Sequence, residues 1–503
     1  MSVDIDIIQF LRTWNPWWTT NEVPGSLLER FKRRDFYVIS ERIEERQILS
    51  LTGLRRVGKT TLIYQLIDHL LTELHIPAKN ILFISLENPY LKTLKVPFQS
   101  IMALYGKSIV GHDIFDLTSE IESQPIYVFL DEVHYWPDWE RELKVIYDRK
   151  IPIKFIVSGS SSLHLHSKSS ESLVGRIDHQ LIFPFKFLEI CRFTCQNDKP
   201  KDIQAMRKLN EFNWEFRGSI KTSVLRDSLT PITSFLDRTQ PYWIIQSDFW
   251  KRLLDDYLVR GGFPETFSQD LARARNYIRT FIELVIHKDV RDVYWNIRHI
   301  DKFKQLFLWI TRESSSRSNI ISLAKNIGID RDTIQKYLEA LESVYLVNRS
   351  PYYTRSTSKV IRSQIKFYVT DIGVQSAYLN LPLQIHSYDG ETLGKVVETL
   401  VSDHIRRLKF NLEFGLSTAL YYWYDRKQRQ KEVDIVFELS QKPIPVEVKY
   451  QNKVDKRDLK GIRRFQDIYP ESPFGIVVSK DTLDYSSNEK IIILPLWLFL
   501  IAP

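Results

Sequence analysis

An α/β fold in several domains, led by a parallel sheet covered by helices on both faces, is what this sequence predicts. Three observations carry the expectation. Four short apolar runs, QILSLT (47–52), ILFISLE (81–87), IYVFLDE (126–132) and IKFIVSGS (153–160), alternate with helical apolar spacing such as TTLIYQLIDHLLTEL, the pattern of buried parallel strands and crossover helices. A chain of 503 residues exceeds what one hydrophobic core sustains, which points to roughly two to four domains. Its 43% hydrophobic and 26% charged residues place it among ordinary globular proteins and exclude a disordered or fibrous class.

The remaining bulk features narrow the setting. The only cysteines, Cys191 and Cys195, cannot build a disulfide framework, and a lone C-x3-C is weak zinc evidence. They read as small apolar side chains, with a reducing compartment, the cytoplasm, as the expected location. The opening MSVDIDIIQF carries early acids and no small-residue cleavage site, unlike a signal peptide. The closing run IIILPLWLFLIAP is too short to span a bilayer and reads as a buried strand or helix, so no membrane partner is expected. A net charge of +8 mildly favours an anionic partner.

Along the chain, residues 1–35 form a strap rich in tryptophan and turn residues, and 36–190 carry the strand–helix rhythm. Residues 191–310 read as a helical region with an insertion, mixed and polar from 186 to 250. Residues 311–385 contain ISLAKNIGIDRDTIQKYLEALES, two helical patterns joined through Gly328, followed by YYTRSTSKVIRSQIKFYV in hairpin style. Residues 386–503 return to helix and strands, with a proline-bearing turn expected before PVEVKY.

GLRRVGKT, Gly53 to Thr60, matches G-x-x-x-x-G-K-[ST] where the motif has meaning, leaving a strand and entering a helix. Its backbone, Gly53, Leu54, Arg55, Arg56, Val57 and Gly58, would turn N–H groups toward phosphates, continuing through Thr61. Lys59 would neutralise β- and γ-phosphate oxygens, and Thr60 would bind Mg²⁺. IYVFLDE delivers Asp131 to the metal and Glu132 to the attacking water, so ATP hydrolysis is expected rather than nucleotide holding. Ser158 could sense the γ-phosphate. Arg176 in LVGR is either an arginine finger, acting in trans in a homo-oligomer, or a structural cation. His134 reads as a helix-face residue.

GLRRVGKTTL, FLDEVHYWPDWERELKVIYD, SGSSS, LVGR and RGGFPE in this order resemble prokaryotic AAA-type ATPases near the STAND signalling group. That resemblance implies a P-loop core, a winged helix and a C-terminal domain with a restriction-endonuclease-like fold. It also implies that Gly262 and Pro264 contact the nucleotide. The sequence departs from typical AAA members in having Ser158 where asparagine is usual, and in lacking a clear second sensor arginine.

In the winged-helix stretch, Arg331, Gln335 and Lys336 open the second helical pattern, and Arg355, Lys359 and Arg362 fall on the wing. Basic residues on both elements suit DNA phosphates; a lid or dimerisation module is the alternative. Further on, Glu398 sits in a helical pattern, Asp434 in VDIVFE, and Glu447 and Lys449 on one face of PVEVKY. The layout resembles PD-(D/E)XK nucleases. By that resemblance, Glu398, Asp434 and Glu447 would hold Mg²⁺ or Mn²⁺, with Lys449 orienting the water. Charges on a solvated strand remain the plainer reading. Asp425, Arg426 and Lys427 add a basic approach. The combined expectation is an Mg²⁺-dependent ATPase whose nucleotide state controls a DNA-binding and DNA-cutting half. The alternatives are a STAND-type switch with an inactive nuclease-like domain, and an oligomeric DNA-remodelling motor.

Overall fold

The computed structural model describes the chain except residues 1, 95, 117–124, 161–172, 174, 196–199, 291–296, 298, 357–363, 414–417, 428–430, 486–488 and 503. It divides into two compact units, Met1–Phe183 and Pro184–Pro503.

The first unit is built on a parallel sheet of β1 (Ile48–Thr52), β2 (Ile81–Ser85), β3 (Ile126–Asp131), β4 (Ile153–Gly159) and β5 (Ile177–Leu181), in the order β2-β3-β4-β1-β5. The first four are the apolar runs of the sequence, and β1, β3 and β4 are buried along their whole length. The fifth, IDHQL, is mostly half-buried and polar, so no apolar run marks it. Because β1 lies between β4 and β5, the turn leaving β1 opens beside the C-terminal ends of its neighbours, where ligands bind such sheets.

The N-terminal strap closes the β2 edge. Asn15 Nδ2 donates to Phe83 O at 2.9 Å, and its Oδ1 accepts from Phe83 N at 2.6 Å. One amide thus takes both backbone groups of an edge residue, as a neighbouring strand would. The indoles of Trp17 and Trp18 both donate to Ile81 O, at 3.0 and 2.8 Å. Arg33, also in the strap and buried, donates to Val57 O at 3.0 Å.

The second unit begins with the short helix Phe187–Thr194, followed by two long helices, Pro200–Arg226 and Thr230–Arg260. The long pair takes up most of the stretch 186–250 that reads as helix and loop. Their aromatic contacts, among them Phe212 on Phe235 with centroids 4.8 Å apart, fill both flanks and blur the one-sided stripe that reveals a helix; Pro241 lies inside the second. After it, RGGFPE forms a crowded corner. A Cβ at Gly262 would lie 2.2 Å from Phe185 O, and one at Gly261 would lie 2.1 Å from Asp371 Oδ1. Asp371 accepts from Gly262 N and Gly373 N, both at 2.8 Å.

Beyond the helices Leu271–Leu284 and Ile300–Arg312 come the helices Ile320–Ile327 and Arg331–Ser343. In the latter pair Asn319 caps the first, Gly328 ends it in the left-handed region at φ 75°, and Asp330 caps the second by accepting from Thr333 N. Such cap chemistry fixes the turn locally. A three-stranded antiparallel sheet follows, from β6 (Arg317–Ser318), β7 (Val347–Pro351) and β8 (Ile365–Val369), in the order β6-β8-β7.

The helix Gly390–Leu412 precedes a mixed sheet of β9 (Tyr421–Tyr424), β10 (Glu432–Leu439), β11 (Lys442–Lys449), β12 (Gly475–Ser479) and β13 (Ile491–Pro495), ordered β13-β12-β11-β10-β9. The turn between β10 and β11 is Ser440–Gln441, both at positive φ. The proline-bearing turn is therefore corrected: Pro443 and Pro445 lie within β11, paired with Glu438 and Val436. They are tolerated because β12 pairs with β11 only from Val446 onward, so a missing N–H on that side breaks no ladder bond. The closing run forms β13 and the buried helix Leu496–Phe499. Among the described residues no helix is long and apolar enough to cross a membrane.

Candidate nucleotide site and carboxylate cluster

In the first unit the turn 53–58 joins β1 to the helix Lys59–Thr72. Gly53 has φ 144°, and a Cβ there would lie 2.2 Å from Ile182 O, so the turn passes too close to the chain after β5 for any side chain. Gly58 is left-handed at φ 96° with open space around it, so its requirement is conformational. Leu54 and Val57 are buried anchors and Arg56 is exposed. Arg55 Nη2 donates to Tyr135 OH at 2.9 Å. Lys59 is buried, its Nζ donating to Gly53 O at 2.9 Å and Leu54 O at 3.1 Å. Thr61 continues the helix, half-buried.

Four oxygens, from three side chains, converge at the strand ends. Thr60 Oγ1 donates to Asp131 Oδ2 at 2.9 Å, and Ser158 Oγ, fully buried, donates to Asp131 Oδ1. Ser158 Oγ also accepts from Glu132 N at 3.1 Å. It therefore holds the two acids in place. Hydroxyl and carboxylate oxygens side by side are the hard donors Mg²⁺ takes, so Thr60 and Asp131 fit that ion, which would neutralise phosphate charge there. Glu132 stands in the left-handed region at φ 54°, a strained position for this residue type and one that recurs at functional sites. Its Oε2 is buried, makes no hydrogen bond among the described residues, and lies 3.3 Å from His134 Nδ1. His134 thus faces the acid rather than an outer helix surface.

Burial, and then the neighbouring Glu132, push the Asp131 carboxyl up to about 6, against the pull of Ser158, Thr60 and Lys59. A raised carboxyl loses its charge as pH falls through that value. Mg²⁺ affinity of the nucleotide-free protein should therefore drop between pH 7 and pH 5, by about tenfold per unit below pH 6. Calorimetry giving the same affinity at both pH values would refute this.

Arg176 is ion-paired with Asp148 at 2.7 Å in its own unit. In the second unit, Gly262 is packed against Phe185 and Asp371, and Pro264 begins a short 3₁₀ turn. Arg331 and Lys336 are exposed on the helix Arg331–Ser343, and Gln335 donates to Glu339 at 3.1 Å. Arg355 is ion-paired with Glu471. Lys359 and Arg362 fall outside the described residues.

In the C-terminal sheet the register of β10 with β11 runs to Ile435↔Val446, the residues next to Asp434 and Glu447. Asp434 Oδ2 accepts from Val448 N at 2.9 Å, and Lys449 Nζ pairs with Glu447 Oε1 at 2.6 Å. The expected metal centre of Glu398, Asp434 and Glu447 is not what forms. Among the described residues no three acidic, histidine or cysteine groups are arranged to hold a metal ion. The reason is a lysine unforeseen in the sequence. Lys366, on β8 and 2% exposed, sets its Nζ 2.9 Å from Glu398 Oε1, 3.2 Å from Glu432 Oε1 and 3.4 Å from Asp434 Oδ1. Tyr368 OH donates to the same Glu398 oxygen at 2.8 Å. Burial opposes the Lys366 charge, but Glu398, Tyr368, Asp434 and Glu432 outweigh it and hold the group well above its ordinary value.

A cavity of about 860 Å³ opens over this sheet. Six basic side chains, from Arg426, Lys427, Lys431, Lys449, Arg457 and Lys460, line it against four carboxylates, so its rim is net positive. Asp425 does not join them: it is buried and accepts from Arg464 at 2.8 Å.

A phosphate turn between strand and helix, a hydroxyl hydrogen-bonded to a strand-end aspartate and an adjacent glutamate together define a P-loop ATPase site. Residues 45–191 match the family model of an AAA domain, and the first unit thus carries an AAA-type P-loop ATPase domain, with ATP and Mg²⁺ as the cofactors of that family. Residues 251–384 and 393–499 match two domains of unknown function, DUF8612 and DUF4143. The chain is 26% identical over 344 residues to the uncharacterized protein MJ1637 of Methanocaldococcus jannaschii, across 67% of this chain and 65% of that one. The chain thus spans somewhat under two thirds of that relative. It is 24% identical over 409 residues to the uncharacterized protein Rv2008c of Mycobacterium tuberculosis, covering 80% and 70%. Among solved structures, the Walker-type ATPase PABY2304 of Pyrococcus abyssi aligns with a TM-score of 0.36 and 15% identity, over 69% of this chain and 96% of that one. The ORC1 protein of Aeropyrum pernix in complex with DNA aligns at 0.26 and 9%, over 73% and 97%.

Proposed function

We propose that this protein is an Mg²⁺-dependent ATPase whose nucleotide state governs a DNA-binding second unit, with a nuclease-like domain that holds DNA. The observation that carries the ATPase half is the hydrogen-bonded set Thr60–Asp131–Ser158 with Glu132 beside it. Lys59 and the backbone of residues 53–58 bind the phosphates, Asp131 and Thr60 hold the metal, and Glu132 takes the proton of the attacking water. The DNA half is supported by Arg331 and Lys336, exposed at the start of a helix after a capped turn, as in a winged helix, and by the basic-rimmed cavity. Such contacts position a protein on phosphates without specifying sequence.

Lys59→Ala tests the core. Binding of a fluorescent ATP analogue and phosphate release should both fall to background; unchanged turnover would remove the ATPase reading. For the second unit, anisotropy of a labelled duplex should change when ATP is added to the parent protein and stay constant in Lys59→Ala. Equal anisotropy with and without ATP in both proteins would reject nucleotide control.

This reading gives the C-terminal domain a holding role rather than a cutting one, because the ammonium of Lys366 already pairs with Glu398, Glu432 and Asp434. Linear, nicked and branched DNA incubated with Mn²⁺ should therefore give matching patterns for the parent protein and Asp434→Ala. Cutting by the parent protein that is lost in Asp434→Ala would overturn the holding role.

A further inference from the structure

The side chain of Lys366 comes from a different sheet than the carboxylates it meets. It lies on β8 of the three-stranded sheet, whereas Glu432 and Asp434 lie on β10, and Glu398 on the helix Gly390–Leu412. Lys366 and Tyr368, two apart on one strand, share a face, and both reach Glu398 Oε1. An ammonium has three protons to donate, and three carboxylates surround this one within 3.4 Å. A divalent ion drawn to the same oxygens would meet that positive charge at contact distance, in a buried setting where repulsion is weakly screened.

We propose that Lys366 is a resident cation that takes the place of a divalent metal among Glu398, Glu432 and Asp434, making this a metal-free site for a phosphodiester backbone. The ligand class follows from what faces the cavity. Six basic groups line its rim, and Lys449 lies at the edge of the acidic cluster. Glu447, 6% exposed, leaves Oε2 without a hydrogen-bond partner among the described residues, an acceptor that a hydrated backbone can satisfy. The phosphodiester part rests on the DNA-binding reading above; the assignment of Lys366 does not. The residues therefore disagree with the metal that a PD-(D/E)XK layout implies, and the disagreement has a specific cause, one lysine delivered from β8.

The test is Mn²⁺ binding by the full chain without nucleotide, followed by calorimetry and by loss of the free-ion paramagnetic signal. Wild type and Asp434→Asn should bind Mn²⁺ identically, because Lys366 already fills the cluster. Lys366→Met, which keeps the stem, should take up one further Mn²⁺ at least tenfold more tightly than wild type. Adding Asp434→Asn should abolish that gain, and Lys366→Arg should behave as wild type. A wild-type ion removed by Asp434→Asn overturns the proposal, as does a folded Lys366→Met that binds no additional ion. Should Lys366→Met lose its circular dichroism signature, the comparison of wild type with Asp434→Asn decides alone. In EDTA, wild type should bind a labelled duplex as well as it does in Mg²⁺. A strict Mg²⁺ requirement would overturn the metal-free site. Absence of duplex binding under both conditions would instead remove the DNA reading, with the Mn²⁺ comparison still deciding Lys366.

Discussion

Glu132→Gln should lower ATP turnover by roughly 10²–10⁴-fold, the usual worth of a positioned general base, while leaving ATP affinity within a few-fold of wild type. The substitution keeps the shape of the side chain and removes only its capacity to take a proton. Asp131, Thr60 and Ser158 keep their hydrogen bonds, since Ser158 accepts from the Glu132 backbone and not its side chain. The φ of 54° is unchanged too, because glutamine meets the same backbone strain as glutamate. Single-turnover hydrolysis beside equilibrium binding of an ATP analogue separates the two effects. Parallel losses in affinity and turnover would mean that the residue builds the site, and unchanged turnover would place the base elsewhere.

Asn15→Ala should destabilise the first unit by about 2–6 kcal/mol, since two buried backbone groups of Phe83 lose their partner at about 1–3 kcal/mol each. For a unit of this size that corresponds to a fall in melting temperature on the order of 10 °C. The exposed Thr13→Ala, two residues away, loses one local bond to Gln9 O and should shift the transition by no more than about 1 °C. Denaturation followed by circular dichroism compares them. Equal midpoints would mean that water satisfies Phe83 as well as Asn15 does.

What was legible in the sequence was local. The phosphate turn, the strand ending in Asp131 and Glu132, and the capped pair of helices around Gly328 each lie within a few residues, where steric and capping rules act. The four apolar strands were legible for the same reason, and polar β5 was not. Arg33, Asn15 and Lys366 escaped because their meaning depends on partners 24, 68 and up to 68 residues away. Nothing in the isolated stretch SQIKFYV distinguishes a lysine bound for a carboxylate cluster from one on a solvated strand. The disagreement at Glu398, Asp434 and Glu447 follows: their spacing was readable, and the cation among them was not.

The amide of Asn15 also decides how copies of this chain can meet. An uncapped β2 would offer its free backbone groups to the edge strand of a second molecule, the route by which sheets add strands and aggregate. With Phe83 and Ile81 already bonded to the strap, that route is closed at β2. Sheet extension at the β2 edge would first have to detach residues 15–18. Asn15→Ala should therefore raise aggregation on heating more than an equally destabilising substitution in the core.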